Sequence, residues 1–203
     1  HLNGIRELSR MAEIISVEQK EPVGLGHAVL TAQPLVGFDP FVVYLPDDLI
    51  WASPSATRQM LPAFEIYGNI IAVESILPEL VINYGVVGGT MSEPGILKLN
   101  QVIEKPPIKD APSNLAIVGR YVFSSEIFEC LNEISVGTNQ ELQLTDAIAA
   151  LINRGSVYSY EFEGKRYDCG TPDGLLMASI EIALSRSEFS SKLRTWLEGL
   201  RNI

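Results

Sequence analysis

The chain has 203 residues, 46% of them apolar, and a formal net charge of −10. This suits one sizeable α/β domain or two small ones. The acidity excludes a basic nucleic-acid surface, and no apolar run approaches the ~18 residues of a membrane span.

An anionic partner would have to be met by a few placed cations, by backbone N–H groups or by a metal ion. Cys130 and Cys169 are the only cysteines. They are too few for a disulfide framework or a structural zinc site and are expected to be reduced and buried. No signal peptide is visible, and a cytoplasmic location is expected. His1-Leu2-Asn3 runs straight into helical spacing at Leu2, Ile5, Leu8 and Met11. The chain reads as a piece of a longer protein.

In chain order, "AEIISVEQ" (Ala12–Gln19) predicts a buried strand, and "KEPVGLGHAVLTAQPLV" a loop, two glycines and a helix. "PFVVYLPDDLI" predicts an apolar strand that runs out at Asp47-Asp48. "SATRQMLPAFEIYG" predicts a helix that Pro62 should kink or start late. "NIIAVESI" is a further apolar strand. Continuous apolar strands alternating with helices predict a mixed, mostly parallel sheet covered on both faces.

The middle differs. "YGVVGG", "ILKLNQVIEKP" and "LAIVGRYVFS" follow with few helices between them, so a smaller, partly antiparallel subregion is expected. "SSEIFECLNEI" and "QLTDAIAALINRG" predict helices, the second starting near Thr145-Asp146 and stopping at Gly155. "SVYSYEFEGKRYDCG" predicts one strand region, and two helices close the chain. Leu193, Trp196, Leu197 and Leu200 share helical spacing in the last one. They are expected to pack on the core, or else on a second subunit of a homo-oligomer.

Asp47 stands where an apolar strand ends, the place where ligands bind in open α/β sheets. Such a carboxylate suits Mg²⁺, and equally a turn or a helix cap. Asp168, before the turn residues Gly170 and Pro172, has the same two readings. Gly24 and Gly26 open a helix, where small residues let a ligand approach the backbone or simply make a tight entry. His27 reads as a capping or packing residue. Glu104 and Lys105 would point to opposite faces of a regular strand. Pro106 ends that strand and bars Lys105 from the helical region. The pair then either faces a ligand with hydroxyls at one end and an anion at the other, or is a solvated pair on an edge strand.

Taken together and in order, "GLGHAVL", "LPDDLI", "YGVV", "VIEKPP", "APSNLAIVGRYV", "ELQLTDAI" and "YDCG" resemble the bacterial UTP–glucose-1-phosphate uridylyltransferases, also called UDP-glucose pyrophosphorylases. The resemblance runs from about Val17 to the last helix. It implies a Rossmann-like three-layer α/β sandwich of the nucleotide-diphosphosugar transferase type in one domain, 1–203. Residues 84–121 would be a sugar-binding subregion, and 172–203 the C-terminal helices. It also implies formation of UDP-glucose and pyrophosphate from UTP and glucose 1-phosphate, with Mg²⁺. Asp47 matches the family's magnesium aspartate, and Asp168 a second acidic position of the wider superfamily. Gln19 matches the uracil-reading glutamine, with Gly24 offering backbone contact to the base. Gly85 and Glu104 match positions that hold glucose hydroxyls, and Lys105 the lysine that clamps the sugar phosphate. Asp47 and Lys105 would carry the catalysis.

Three features depart from the family pattern. Thr171-Pro172 stand where an Asn-Lys pair is common. Gly137–Gln140 is poorer in glycine. The family's first strand, with its glycine-rich Thr-Arg loop and following lysine, has no counterpart in these residues. The resemblance therefore implies that residues 1–203 alone would be inactive or nearly so, with either an open gap in the sheet or the missing segment supplied by another chain. A sister enzyme for dTTP or CTP, or a catalytically silent homologue that binds a sugar nucleotide or a partner protein, are the alternatives.

Overall fold

The computed structural model describes residues 7, 10–134 and 141–200. The helical spacing at Leu2, Ile5 and Leu8 and the stretch Gly137–Gln140 lie outside them. Two short helices come first, α1 (Leu25–Thr31) and α2 (Gln33–Val36), then strands β1 (Phe41–Tyr44) and β2 (Asp48–Trp51), helix α3 (Ala56–Tyr67) and strand β3 (Asn69–Ser75). A 3₁₀ turn leads into the hairpin of β4 (Gly85–Glu93) and β5 (Ile96–Glu104), followed by β6 (Leu115–Phe123). Helices α4 (Glu126–Glu133) and α5 (Leu144–Arg154) precede β7 (Val157–Glu161) and β8 (Lys165–Asp168). Helices α6 (Pro172–Ser185) and α7 (Ser187–Leu200) end the chain.

Six strands form one sheet in the order β1-β6-β3-β7-β5-β4, and β2 and β8 form a separate ribbon. The sheet is mixed, but its balance is not the expected one. Among the described residues only β3 and β7 pair in parallel; the other pairs are antiparallel. Connectivity explains this. β4 and β5 are joined by a tight turn at Gly95, whose φ is 79°, and a hairpin can only be antiparallel.

β3 shows why the sheet has three layers. Ile70 and Ala72 join the core under α3 with Met60 and Ala63. Ile71 and Val73 join the opposite core with Phe128 and Leu131 of α4 and Ile148 and Leu151 of α5. A strand buried on both faces needs a continuous apolar run, and "IIAV" supplies it. In α5, Leu144, Ala147, Ile148 and Leu151 are buried at helical spacing.

Several expectations are corrected. Ala12–Gln19 forms no strand: Ile14 and Ile15 are 79% and 58% exposed. A strand exists only through a paired neighbour, and local periodicity cannot supply one. Pro62 does not delay α3, which starts at Ala56 and runs through it to Tyr67; it sits on the exposed face. The apolar stretch 41–51 breaks at Pro46-Asp47 into β1 and β2, which belong to different sheets. Residues 157–168 likewise form two strands in different sheets. Helix α7 packs on α6 with none of its residues buried, so its apolar stripe does not reach the core. Trp196 is 58% exposed. Cys130 is buried as expected, whereas Cys169 is only partly so; both are free.

Candidate active site

A cavity of about 330 Å³ opens where the β2–β8 ribbon meets β4, β5 and β6. Asp47, Asp168, Gly85, Glu104 and Lys105 all line it. These come from four separate stretches of chain. Gln19 and Gly24 do not line it, although the adjacent Leu25 does.

The acidic corner is built by the turn between β1 and β2. The Cys169 N–H donates to the Asp47 carbonyl at 2.7 Å, so the end of β8 wraps the turn. A Cβ placed on Gly170 would lie 3.2 Å from Asp168 Oδ1 and 3.3 Å from Asp47 Oδ2. The two carboxylates thus flank one point. Asp47 is exposed, and its carboxylate takes no hydrogen bond among the described residues.

Asp48 behaves oppositely. It is 7% exposed. Its Oδ2 accepts the Gly119 N–H at 2.6 Å, and its Oδ1 accepts the Arg166 Nε–H. Arg120 adds two anchors to the same turn, donating to the carbonyls of Leu45 at 3.0 Å and Asp48 at 2.6 Å. Of the adjacent acids, one is fixed in the structure and one is free for a ligand. Sequence alone does not separate them.

Gly119 is what lets Asp48 approach β6. A Cβ there would stand 2.5 Å from the Leu45 Cβ and 2.8 Å from Asp48 Oδ2. Gly119→Ala is expected to lose about 1–3 kcal/mol by overpacking. Urea unfolding measures this; an unchanged midpoint would mean the turn yields without cost.

The opposite wall carries Glu104 and Lys105. Gly85 and Glu104 are register partners across β4 and β5. A Cβ on Gly85 would sit 3.1 Å from Glu104 Oε2 and 3.2 Å from Ile117 Cδ1, so a larger residue would crowd this wall. The Thr145 hydroxyl donates to Glu104 Oε2 at 2.6 Å, and Oε1 accepts no hydrogen bond among the described residues. Lys105 stays out of the right-handed helical region, as expected before a proline. Its φ is 45°, the left-handed region, which costs a non-glycine residue about 1–2 kcal/mol. Its N–H still reaches the Tyr84 carbonyl at 3.0 Å. This twist at the strand end lets neighbouring side chains line one cavity.

Thr145, Arg166 and Tyr121 are wall residues that the sequence reading missed. Thr145 was legible only as a helix start. Burial first, then the charges of Asp48, Glu104 and Asp47, push the Tyr121 phenol above its ordinary value, so it stays neutral.

Gly24 and Gly26 have a packing explanation. A Cβ on either would meet the Leu142 carbonyl oxygen, at 2.7 and 2.6 Å. The Gly26 N–H donates to that oxygen, and the Leu142 N–H to the Val23 carbonyl. The glycines let "ELQL" dock on the helix entry. Gln19 Nε2 donates to the Gly24 carbonyl at 3.1 Å and lies 3.0 Å from His27 Nδ1. His27 is therefore a packing partner of Gln19. The departure at Thr171-Pro172 also has a local account. Thr171 caps α6 by accepting the Gly174 N–H, and Pro172 takes the first helical position.

The nucleotidyl transferase family matches residues 3–184. A UTP–glucose-1-phosphate uridylyltransferase of Bacillus subtilis (strain 168) is 42% identical over 202 residues, which cover 99% of this chain and 69% of the relative. Among solved structures, a UDP-glucose pyrophosphorylase complexed with UDP-glucose superposes with a TM-score of 0.87 at 41% identity, covering 91% of this chain and 71% of that one. The UTP-bound enzyme from Acinetobacter baumannii gives 0.84 at 34% identity, covering 97% and 70%. No helix among the described residues is long and apolar enough to cross a membrane. This chain belongs to the nucleotidyl transferases and, within them, to the UTP–glucose-1-phosphate uridylyltransferases.

Proposed function

We propose that the cavity carries out the reaction of its family, UTP plus glucose 1-phosphate giving UDP-glucose and pyrophosphate, by placing substrates and neutralising charge. The observation that carries this reading is one cavity lined both by the Asp47 and Asp168 carboxylates and by the Glu104–Lys105 pair. Glu104, steadied by Thr145, accepts hydrogen bonds from glucose hydroxyls, and Gly85 gives the ring room. Lys105 binds the sugar phosphate. Residues 84–121 act as the sugar-binding part of a single domain.

Asp47 and Asp168 suit Mg²⁺, which takes oxygen ligands and shares one or two carboxylates with substrate phosphates. Among the described residues no three acidic, His or Cys side chains form a closed metal cluster, in keeping with a site that phosphate oxygens and water complete. When bound, the ion would withdraw charge from the triphosphate.

The sugar phosphate is already ionised, so its oxygen attacks the α-phosphorus of UTP without a strong general base. A new phosphorus–oxygen bond forms on one side. On the other, the bond to the bridging β-phosphate oxygen breaks, and pyrophosphate leaves with the electron pair. Holding both reactants in line supplies much of the rate.

Gln19 reads the base. Its amide nitrogen is spent on the Gly24 carbonyl and on His27, which leaves Oε1 as an acceptor. Uracil and thymine present a donor at N3; cytosine presents an acceptor there. Pyrophosphate release across UTP, dTTP, CTP, ATP and GTP tests the reading in the full-length protein. UTP is expected to lead and CTP to fail. A preference for any base other than uracil by more than about tenfold, ~1.4 kcal/mol in transition-state binding, would overturn it.

A further inference from the structure

Arg166 lines the cavity with a side chain only 9% exposed. Its Nε donates to Asp48, and its Nη1 to Glu74 Oε1 at 2.9 Å. The same Nη1 lies 3.4 Å from the Tyr84 hydroxyl, and the guanidinium stands 5.1 Å from the centre of the Tyr84 ring. Its Nη2 is 4.0 Å from Asp168 Oδ2. One planar fork therefore joins β2, β3, β8 and Tyr84, the residue just before β4. Burial alone would lower its pKa. Hydrogen bonds to Tyr84, Asp48 and Glu74, with the charge of Asp48, hold it above the ordinary guanidinium value.

Four carboxylates crowd this corner: Asp47, Asp48, Glu74 and Asp168. A divalent ion is drawn to whichever acids are unpaired, and buried charges interact more strongly than exposed ones. Asp48 and Glu74 each accept a hydrogen bond from Arg166, whereas Asp168 meets it only as an ion pair at 4.0 Å and Asp47 accepts nothing from it. The guanidinium thus decides which acids remain open. Tyr84, held by the same group, carries the carbonyl that accepts the Lys105 N–H. The metal corner and the phosphate-binding wall are linked through one side chain.

We propose that Arg166 is a positioning residue: it satisfies Asp48 and Glu74 so that only Asp47 and Asp168 receive the divalent ion, and it fixes that corner relative to Lys105. This rests on the assignment of Asp47 and Asp168 as the metal-binding acids. Arg166→Met frees two further carboxylates. It should make the resting protein hold free Mn²⁺ more tightly, and in a less productive place. Arg166→Lys keeps the charge but loses the planar fork. It should leave Mn²⁺ affinity near that of the wild type while slowing turnover.

The test is titration of Mn²⁺ alone into full-length wild-type, Arg166→Met, Arg166→Lys and Asp47→Asn proteins, followed by electron paramagnetic resonance, with kcat and KM measured in parallel. Residues that orient metal ligands typically affect affinity or activity by about 10–100-fold. For Arg166→Met the expected result is Mn²⁺ affinity raised by about tenfold or more with kcat lowered by a similar factor. A residue that merely holds the fold would lose both together. If Arg166→Met does not fold, Arg166→Lys decides: Mn²⁺ binding within about threefold of wild type with kcat down about tenfold supports the proposal. Unchanged or weakened Mn²⁺ binding in Arg166→Met, or unimpaired kcat in Arg166→Lys, overturns it. Asp47→Asn separates the two claims. If it binds Mn²⁺ as the wild type does, the metal assignment itself is wrong. If it loses Mn²⁺ while Arg166→Met binds no more tightly, the role of Arg166 alone is wrong.

Discussion

Asp47→Asn is expected to slow UDP-glucose synthesis by roughly 10²–10³-fold in the full-length protein, the usual cost of removing one preorganised charge-stabilising group. The fold should survive. Asp47 is exposed and accepts no hydrogen bond from its side chain among the described residues. Asparagine keeps the shape of the turn but holds a divalent ion more weakly. Part of the loss should therefore return at high Mg²⁺, and thermal unfolding should be unchanged. Asp48→Asn is the contrast. It breaks a buried pair with Arg166, so it should lose stability, on the order of 3 kcal/mol. Near-normal turnover by Asp47→Asn at limiting Mg²⁺ would make Asp47 an ordinary turn acid.

Lys105→Ala should cost turnover for every sugar 1-phosphate, again by about 10²–10³-fold, because in the proposed reaction the lysine meets the phosphate that all of them share. Glu104→Ala should act differently. A site built to pair with hydroxyls rejects sugars that leave its polar groups unpaired. Removing Glu104 should therefore narrow the gap between glucose 1-phosphate and its epimers more than it slows glucose 1-phosphate itself. Thr145→Val, which frees Glu104 Oε2 from its 2.6 Å donor, should shift discrimination in the same direction by less. Initial rates across a set of hexose 1-phosphates decide it. Equal losses for glucose 1-phosphate and its epimers in both Lys105→Ala and Glu104→Ala would remove this division of roles.

What the sequence made legible and what it hid follow from the range of the interactions. The buried strand at Asn69–Ser75 and the amphipathic α5 can be read from local periodicity, because burial imposes that periodicity directly. Asp47, Gly85, Glu104, Lys105 and Asp168 were readable as strand-end or motif residues, and the fold brings all five to one cavity. Arg166 was not readable. Its partners Asp48 and Glu74 lie 118 and 92 positions away, and nothing local marks a lysine-arginine pair as half buried. Thr145 reaches Glu104 across 41 positions and looks like any residue at a helix start. Gly24 and Gly26 read as places where a ligand approaches the backbone or as a tight helix entry, and the backbone of Leu142 stands close to both. Strand direction was misjudged for a related reason. Apolar continuity reports burial on both faces and says nothing of the direction of a neighbouring strand. Ala12–Gln19 has strand character without a strand partner among the described residues.

In the proposed reaction the sugar phosphate is the nucleophile, and the protein positions and neutralises. Among the described residues lining the cavity there is no Cys, His or Ser, and the Thr145 hydroxyl is held by Glu104. The most direct test is stereochemical. UTP with a single sulfur at the α-phosphorus, in one configuration, is turned over with glucose 1-phosphate, and the configuration of the sulfur-bearing UDP-glucose is read by phosphorus NMR. One in-line displacement inverts the centre, and inversion is the predicted result. Retention would require two displacements through a covalent uridylyl-enzyme and would contradict the account.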